Sequence, residues 1–243
     1  MSAQPASTDP QPPVTPLRRQ WSRPSSHGAT SGDAQALLPR GVLVGCREAI
    51  QRIDDDGHHS YGITSALRGE GRSSIAAGFA LVEWLDYERR TVLVDLDLEG
   101  PSLHERFGLP EGPGISDLVG SHDPVEDYLQ RLVGDVWLLS AGGDRENVPR
   151  TLSRLTQGTV MSQLAEWADV VICDLPPLLG SPTGLEAARL CSTAVMVVRA
   201  GVTPMPRVKE AADSLATPPP VILNGVHSSV PAWIRRATGD WKP

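Results

Sequence analysis

Ala66-Leu67-Arg68-Gly69-Glu70-Gly71-Arg72-Ser73-Ser74 follows a short run, Ser60-Tyr61-Gly62-Ile63-Thr64, and opens a helical pattern. Strand, glycine turn, helix is the layout of a phosphate-binding loop. Gly69 and Gly71 give the backbone the freedom to curl its amides around phosphate oxygens, and the helix N-terminus adds partial positive charge. Ser73 is placed for its hydroxyl to reach a phosphate-bound Mg²⁺, with Ser74 beside it. Arg72 stands where such a loop carries lysine. Taken alone the stretch is ambiguous, because a glycine turn before a helix also has purely structural uses.

Two further stretches add to it. Val92-Leu93-Val94-Asp95-Leu96-Asp97 places two acids at the C-terminal end of an apolar strand, the end at which open α/β sheets bind ligands. Carboxylates there suit Mg²⁺, a hard cation that takes oxygen ligands, although two solvated loop acids would read the same way in isolation. Asp169-Val170-Val171-Ile172-Cys173-Asp174-Leu175-Pro176-Pro177 ends a second apolar strand on Asp174. That is the form of a Walker B aspartate, which orients the Mg²⁺ shell. Three such elements in order argue for one nucleotide site.

The surrounding chain alternates strands (60–64, 91–96, 135–140, 169–174, 193–199, 220–224) with helices (about 72–86, 151–166, 184–191, 205–215). Runs such as Ala194-Val195-Met196-Val197-Val198 are continuously apolar, which marks strands covered on both faces. The expected fold is α/β, a doubly wound and mostly parallel sheet of P-loop NTPase type. It is expected over residues 41–243, behind a disordered Pro/Ser-rich tail, residues 1–40, with too few large apolar residues to offset its ordering entropy. A docking role for that tail stays open. Val42 to Ile53 reads as a helix, and Asp54-Asp55-Asp56-Gly57 after it reads as a solvated turn.

The 243 residues are 40% apolar and 21% charged, which suits a globular chain with one well-buried core. A net charge of −7 gives no reason to expect a nucleic-acid partner. The only lysines are Lys209 and Lys242, a bias toward arginine that reaches the loop at Arg72. Cys46, Cys173 and Cys191 have no metal-type spacing and read as reduced thiols, which fits the cytoplasm. No run of ~18 apolar residues suggests a membrane span, and Arg18-Arg19 is not followed by the apolar stretch of an export signal.

Together the segments Thr64–Ser74, Val94–Leu103 and Asp174–Pro177 resemble the bacterial tyrosine kinases, a branch of the MinD/ParA P-loop ATPases. Pro113-Gly114-Ile115-Ser116-Asp117-Leu118 and Val221-Ile222-Leu223-Asn224 match as well, so the resemblance covers roughly residues 43–240. It implies an ATP- and Mg²⁺-dependent module of capsule or exopolysaccharide assembly. Such a module works beside a membrane chain-length regulator, the polysaccharide co-polymerase, whose cytoplasmic tail activates it. The implied location is the cytoplasm, with peripheral association at the inner membrane face and a homo-oligomer left open. By the same resemblance Gly69, Glu70, Gly71, Arg72, Ser73 and Ser74 would bind nucleotide, and Asn224 would approach the adenine. Ser73, Asp95 and Asp174 would hold the metal, and Asp95, Asp97 and Arg72 would serve catalysis.

The chain also departs from that family. Arg72 replaces a compact point charge with a planar fork. Tyr61, Tyr87 and Tyr128 are the only tyrosines, so the C-terminal tyrosine cluster of the family is missing. Glu48, Gln51 and Asp54 occupy the register of a Glu-x-x-Arg-x-x-Arg pattern used in ring assembly. Glu99-Gly100 replaces a basic pair, and Thr183-Gly184 lacks an expected acid. Three readings therefore compete: an active kinase, a non-catalytic pseudokinase partner, and a MinD-like positioning ATPase anchored through Trp233, Ile234, Arg235, Arg236 and Trp241.

Overall fold

The computed structural model describes residues 36–53, 60–143 and 146–226. Most of the Pro-rich tail, the acidic triplet 54–56 and the C-terminal segment 233–241 lie outside them. The described chain runs α1 (Arg40–Ile53), β1 (Ser60–Ser65), α2 (Arg72–Tyr87), β2 (Thr91–Asp95), α3 (Leu103–Arg106), α4 (Ile115–Leu118), a 3-10 turn (Val125–Tyr128), β3 (Gln130–Val133) and β4 (Val136–Leu139). It continues through α5 (Val148–Gln157), α6 (Val160–Trp167), β5 (Val170–Asp174), α7 (Gly184–Ala188), β6 (Thr193–Arg199), α8 (Met205–Asp213) and β7 (Val221–Asn224).

The strands form one seven-stranded sheet in the order β3-β4-β2-β5-β1-β6-β7. All pairings are parallel except β3 with β4, which closes one edge as an antiparallel ribbon. The apolar runs explain the layering. Val92 and Val94 of β2, Val171 and Cys173 of β5, and Met196 and Val198 of β6 point into one core. Leu93, Val170, Ile172, Val195 and Val197 point into the other. A period of two with both faces buried is what a sheet covered on each side by helices requires.

α2 lies across the second face, buried from Ile75 to Glu83. α1 packs closely on it at Gly78, where an added Cβ would sit 2.5 Å from Cys46 Sγ. Leu38, which the sequence reading assigns to the tail, is 2% exposed in this same core, so the packed domain starts before residue 41. The stretch expected as one helix over 151–166 is two helices, broken at Gly158 and Thr159. β3, with its half-exposed Gln130, Arg131 and Leu132, and the short α3 and α4 are absent from the sequence reading. Among the described residues no helix is long and apolar enough to cross a membrane.

Candidate nucleotide site

β1 ends at Ser65 and α2 begins at Arg72, so residues 66–71 form the loop between them. Gly69 and Gly71 have φ of 81° and 95°, a region that disfavours side chains. α2 is 16 residues long and has no side-chain cap at its N-terminus. Its first amides are therefore free to meet an anion.

The loop is held from behind. Glu70 is 3% exposed. Its carboxylate accepts from Leu67 N at 2.7 Å and Arg199 N at 3.1 Å, and from the Thr203 hydroxyl. Asn224 Nδ2 donates to Glu70 O at 2.8 Å. Glu70 and Asn224, both expected to bind nucleotide, thus spend these side-chain groups on shaping the loop. Sequence reasoning did not single out Arg199 or Thr203, because their partner is 129 or more residues away.

Asp95 and Asp174 are neighbours in the β2–β5 register, at the same end of the sheet as the loop. Asp95 Oδ2 accepts from Ser102 N at 3.1 Å and Leu103 N at 3.0 Å, which anchors the start of α3. Oδ1 of each of Asp95, Asp97 and Asp174 is buried without a partner. Burial pushes the Asp174 carboxyl up to about 7; the charges of Asp95 and Asp97 add to this, while Arg72 and a hydrogen bond with Ser73 oppose it. Burial likewise pushes Asp95 up to about 6, against the backbone bonds from Leu103 and Ser102.

Arg72 is 8% exposed and lies across this cluster. Nη2 meets Asp97 Oδ2 at 3.0 Å, and Nη1 donates to the Leu175 carbonyl. Arg68 reaches the same Asp97 Oδ2 through Nη1 at 3.2 Å, and Glu99 Oε2 through Nη2 at 3.4 Å. Glu99 Oε1 accepts from the hydroxyls of Ser181 at 2.9 Å and Thr183 at 3.0 Å. Two of the departures noted in the sequence, at 99 and at 183, are therefore bonded neighbours. Lys209 is exposed on α8, and no described hydrogen bond or ion pair joins it to the loop.

Loop, helix N-terminus and acids thus converge at the C-terminal edge of a parallel sheet. Three buried orphan oxygens, with the Ser73 hydroxyl bonded to Asp174, fit a hard cation such as Mg²⁺. Among the described residues no cluster of three or more His, Cys, Asp and Glu forms a ready-made cage.

No family model matches the sequence. The tyrosine-protein kinase YwqD of Bacillus subtilis is 29% identical over 160 residues, 64% of this chain and 65% of that protein. A putative tyrosine-protein kinase CapB of Staphylococcus aureus is 25% identical over 170 residues, 70% of this chain and 74% of that protein. The solved kinase domain of VpsO superposes with a TM-score of 0.66 at 25% identity, over 77% of this chain and 95% of that domain. The chain is similar in sequence and fold to bacterial tyrosine-kinase domains. The cell-division ATPase MinD of Pyrococcus furiosus shares the fold, with a TM-score of 0.59 at 20% identity over 76% of this chain and 80% of that one. Some similar proteins are much longer: the match to the putative tyrosine-protein kinase EpsB of Ralstonia nicotianae, 28% identical, spans only 27% of that protein. Arg68 and the Glu99–Ser181–Thr183 group are the site residues that sequence reasoning left without a role.

Proposed function

We propose that the chain is an ATP-binding module of the protein-tyrosine kinase type, acting in the cytoplasm on capsule or exopolysaccharide assembly beside a membrane chain-length regulator. The observation that carries this reading is the convergence of Arg72, Ser73, Asp95, Asp97 and Asp174 at one sheet edge beside an uncapped helix N-terminus.

In this reading the amides of the loop and of the first turn of α2 cradle the phosphates. Ser73 and Asp174 are the residues that would hold Mg²⁺, which would supply charge neutralisation to the phosphates. Asp95 Oδ1, buried and unpartnered, takes the proton of the attacking tyrosine hydroxyl. With its carboxyl pushed up to about 6, it is a stronger base than an ordinary aspartate. The hydroxyl oxygen bonds to the γ-phosphorus as the bond from that phosphorus to the bridging oxygen breaks, and ADP leaves with the electron pair.

A second reading has a specific observation in its favour. The Arg72 guanidinium is already committed to Asp97 and to the Leu175 carbonyl. A misaimed electrostatic donor typically costs ~10²–10³ in rate. A module that binds ATP without turning it over, and serves as a non-catalytic partner, follows from that commitment. The MinD-like reading rested on residues 233–241, which lie outside the described chain.

Equilibrium ATP binding and phosphate release, compared between the natural chain and Arg72→Lys, separate the two. Transfer of the γ-phosphoryl group of labelled ATP to protein tyrosine by the natural chain, lost in Asp95→Ala, establishes the kinase-type reading. Tight binding without release, with release gained on Arg72→Lys, establishes the second. Absence of binding in both proteins would overturn the nucleotide site itself.

A further inference from the structure

The three tyrosines of the chain stand in three different settings. Tyr61 is 1% exposed, on β1 in the core. Tyr128 is half-buried, and its hydroxyl donates to Asp123 Oδ2 at 3.1 Å. Tyr87 is 36% exposed at the last position of α2, and none of the described hydrogen bonds engages its hydroxyl. Two guanidiniums flank it. That of Arg89 lies over the Tyr87 ring, 5.2 Å from the centroid, and Nη1 bonds Glu83 Oε2 at 3.1 Å. Arg47 crosses from α1 to bond Asp86, with Nη2 2.7 Å from Oδ1. The Asp86 bond holds the Arg47 guanidinium above its ordinary value, against burial. The charges of Asp86 and Tyr87 add to this, so Arg47 stands within electrostatic reach of the Tyr87 oxygen.

We propose that Tyr87 is a phosphoryl acceptor, modified by the nucleotide site of a second copy of this chain, and that Arg47 and Arg89 receive the phosphate. The proposal rests on the kinase reading above and names a substrate for it.

Position decides between the chain's own site and that of another copy. Arg72 opens α2 and Tyr87 closes it. At 1.5 Å per residue the two ends lie about 22 Å apart, so the phenol and the phosphate loop sit at opposite ends of a buried helix. No rotation of a side chain spans that distance. Accessibility selects the tyrosine. The last turn of a helix frays readily, and Glu88, at a φ of 55°, turns the chain directly after Tyr87. Tyr61 would have to leave a central strand, and Tyr128 its bond to Asp123.

In the transfer, the Tyr87 oxygen bonds to the γ-phosphorus of ATP in the second copy as the bond from that phosphorus to the bridging oxygen breaks. ADP leaves with the electron pair, and the phenol proton passes to Asp95 of the partner subunit. The product adds a charge of about −1.5 to −2 between Asp86 and Glu88. It does so at the carboxyl end of a helix, where anions are disfavoured. Arg47 and Arg89 offset that repulsion with charge-assisted hydrogen bonds.

The test is incubation of the phosphatase-treated full chain with γ-labelled ATP and Mg²⁺, alone and with a glutamate–tyrosine copolymer, followed by digestion and mass spectrometry. The natural chain is expected to carry label on Tyr87. Tyr87→Phe is expected to lose that label and to label the copolymer as fast as the natural chain does. Asp95→Asn is expected to label nothing by itself. Mixed with Tyr87→Phe, it is expected to become labelled on Tyr87, while the Tyr87→Phe chains stay unlabelled. Thermal melts confirm that both variants are folded. Label on the copolymer with none on the chain, or label on Tyr128 in place of Tyr87, overturns the acceptor and leaves the kinase reading standing. Label on Tyr87 of the natural chain that the mixture fails to restore overturns transfer between copies. No label on either chain or copolymer removes the kinase reading, and the acceptor with it.

Discussion

Asp95 and Asp174 are pressed together at adjacent strand ends with little water to share. Their carboxyls stand at about 6 and about 7, above the ordinary aspartate value of 3.8. The folded chain therefore holds protons that the unfolded chain releases as pH rises from about 4 to 7. The stabilisation from these groups is full below the unfolded value and is lost as pH passes through the folded ones. Without ligand, the protein is expected to resist urea less at pH 7.5 than at pH 5.5, with the pair contributing about 2 kcal/mol to that difference. The two shifts share one repulsion and do not add. Asp174→Asn should flatten the slope and stabilise the protein at pH 7.5. An unchanged pH profile in that variant would show that the pair does not carry the effect.

At the scale of the element, the loop between β1 and α2 depends on contacts that its own sequence cannot display. Gly69 and Gly71 look alike in the motif and share a left-handed φ, yet their surroundings differ. A Cβ on Gly69 would meet open space, and one on Gly71 would lie 2.1 Å from Asn224 Nδ2. Gly69→Ala is expected to cost about 1 kcal/mol, the conformational penalty alone. Gly71→Ala should cost more, about 1–3 kcal/mol in denaturant titration, because Asn224 must also leave Glu70, and it should weaken ATP binding. Equal losses in the two variants would mean that the Asn224 contact does not shape the loop.

The same contrast separates what was legible in the chain from what was not. β2, β5 and β6 were legible because strands buried on both faces need unbroken apolar runs, β1 because Tyr61 and Ile63 alternate just ahead of the glycine turn, and Asp95, Asp97 and Asp174 because they end apolar runs. β3 was not, since Gln130, Arg131 and Leu132 on an antiparallel edge carry no such pattern. The break at Gly158 and Thr159 was passed over because apolar residues continue on both sides of it. The bracing roles of Glu70 and Asn224 and the lodging of Arg68 depend on residues distant in sequence, and local spacing holds no trace of them.

Across the whole molecule, the sheet order separates neighbours in space from neighbours in sequence. β1 lies between β5 and β6, whose register partners begin at Val171 and Thr193. β1 pairs only with strands made later in the chain, and a sheet of this kind closes late. A chain stopped after residue 190 lacks β6, β7 and every bond from Arg199, Thr203 and Asn224 to Glu70. It is expected to show no cooperative melt and no ATP binding. A cooperative transition in that fragment would mean that the N-terminal five strands form a folding unit.

The bracing of Glu70 also sets an order of events during synthesis. The ribosome releases the phosphate loop early, but the groups that give the loop its shape are made 129 to 154 residues later. At about 5–20 residues per second, the nascent loop spends many seconds in the cell without those supports. Nucleotide can therefore assist only the last stage of folding, when the final two strands have emerged, and a half-made chain has no means of sequestering it.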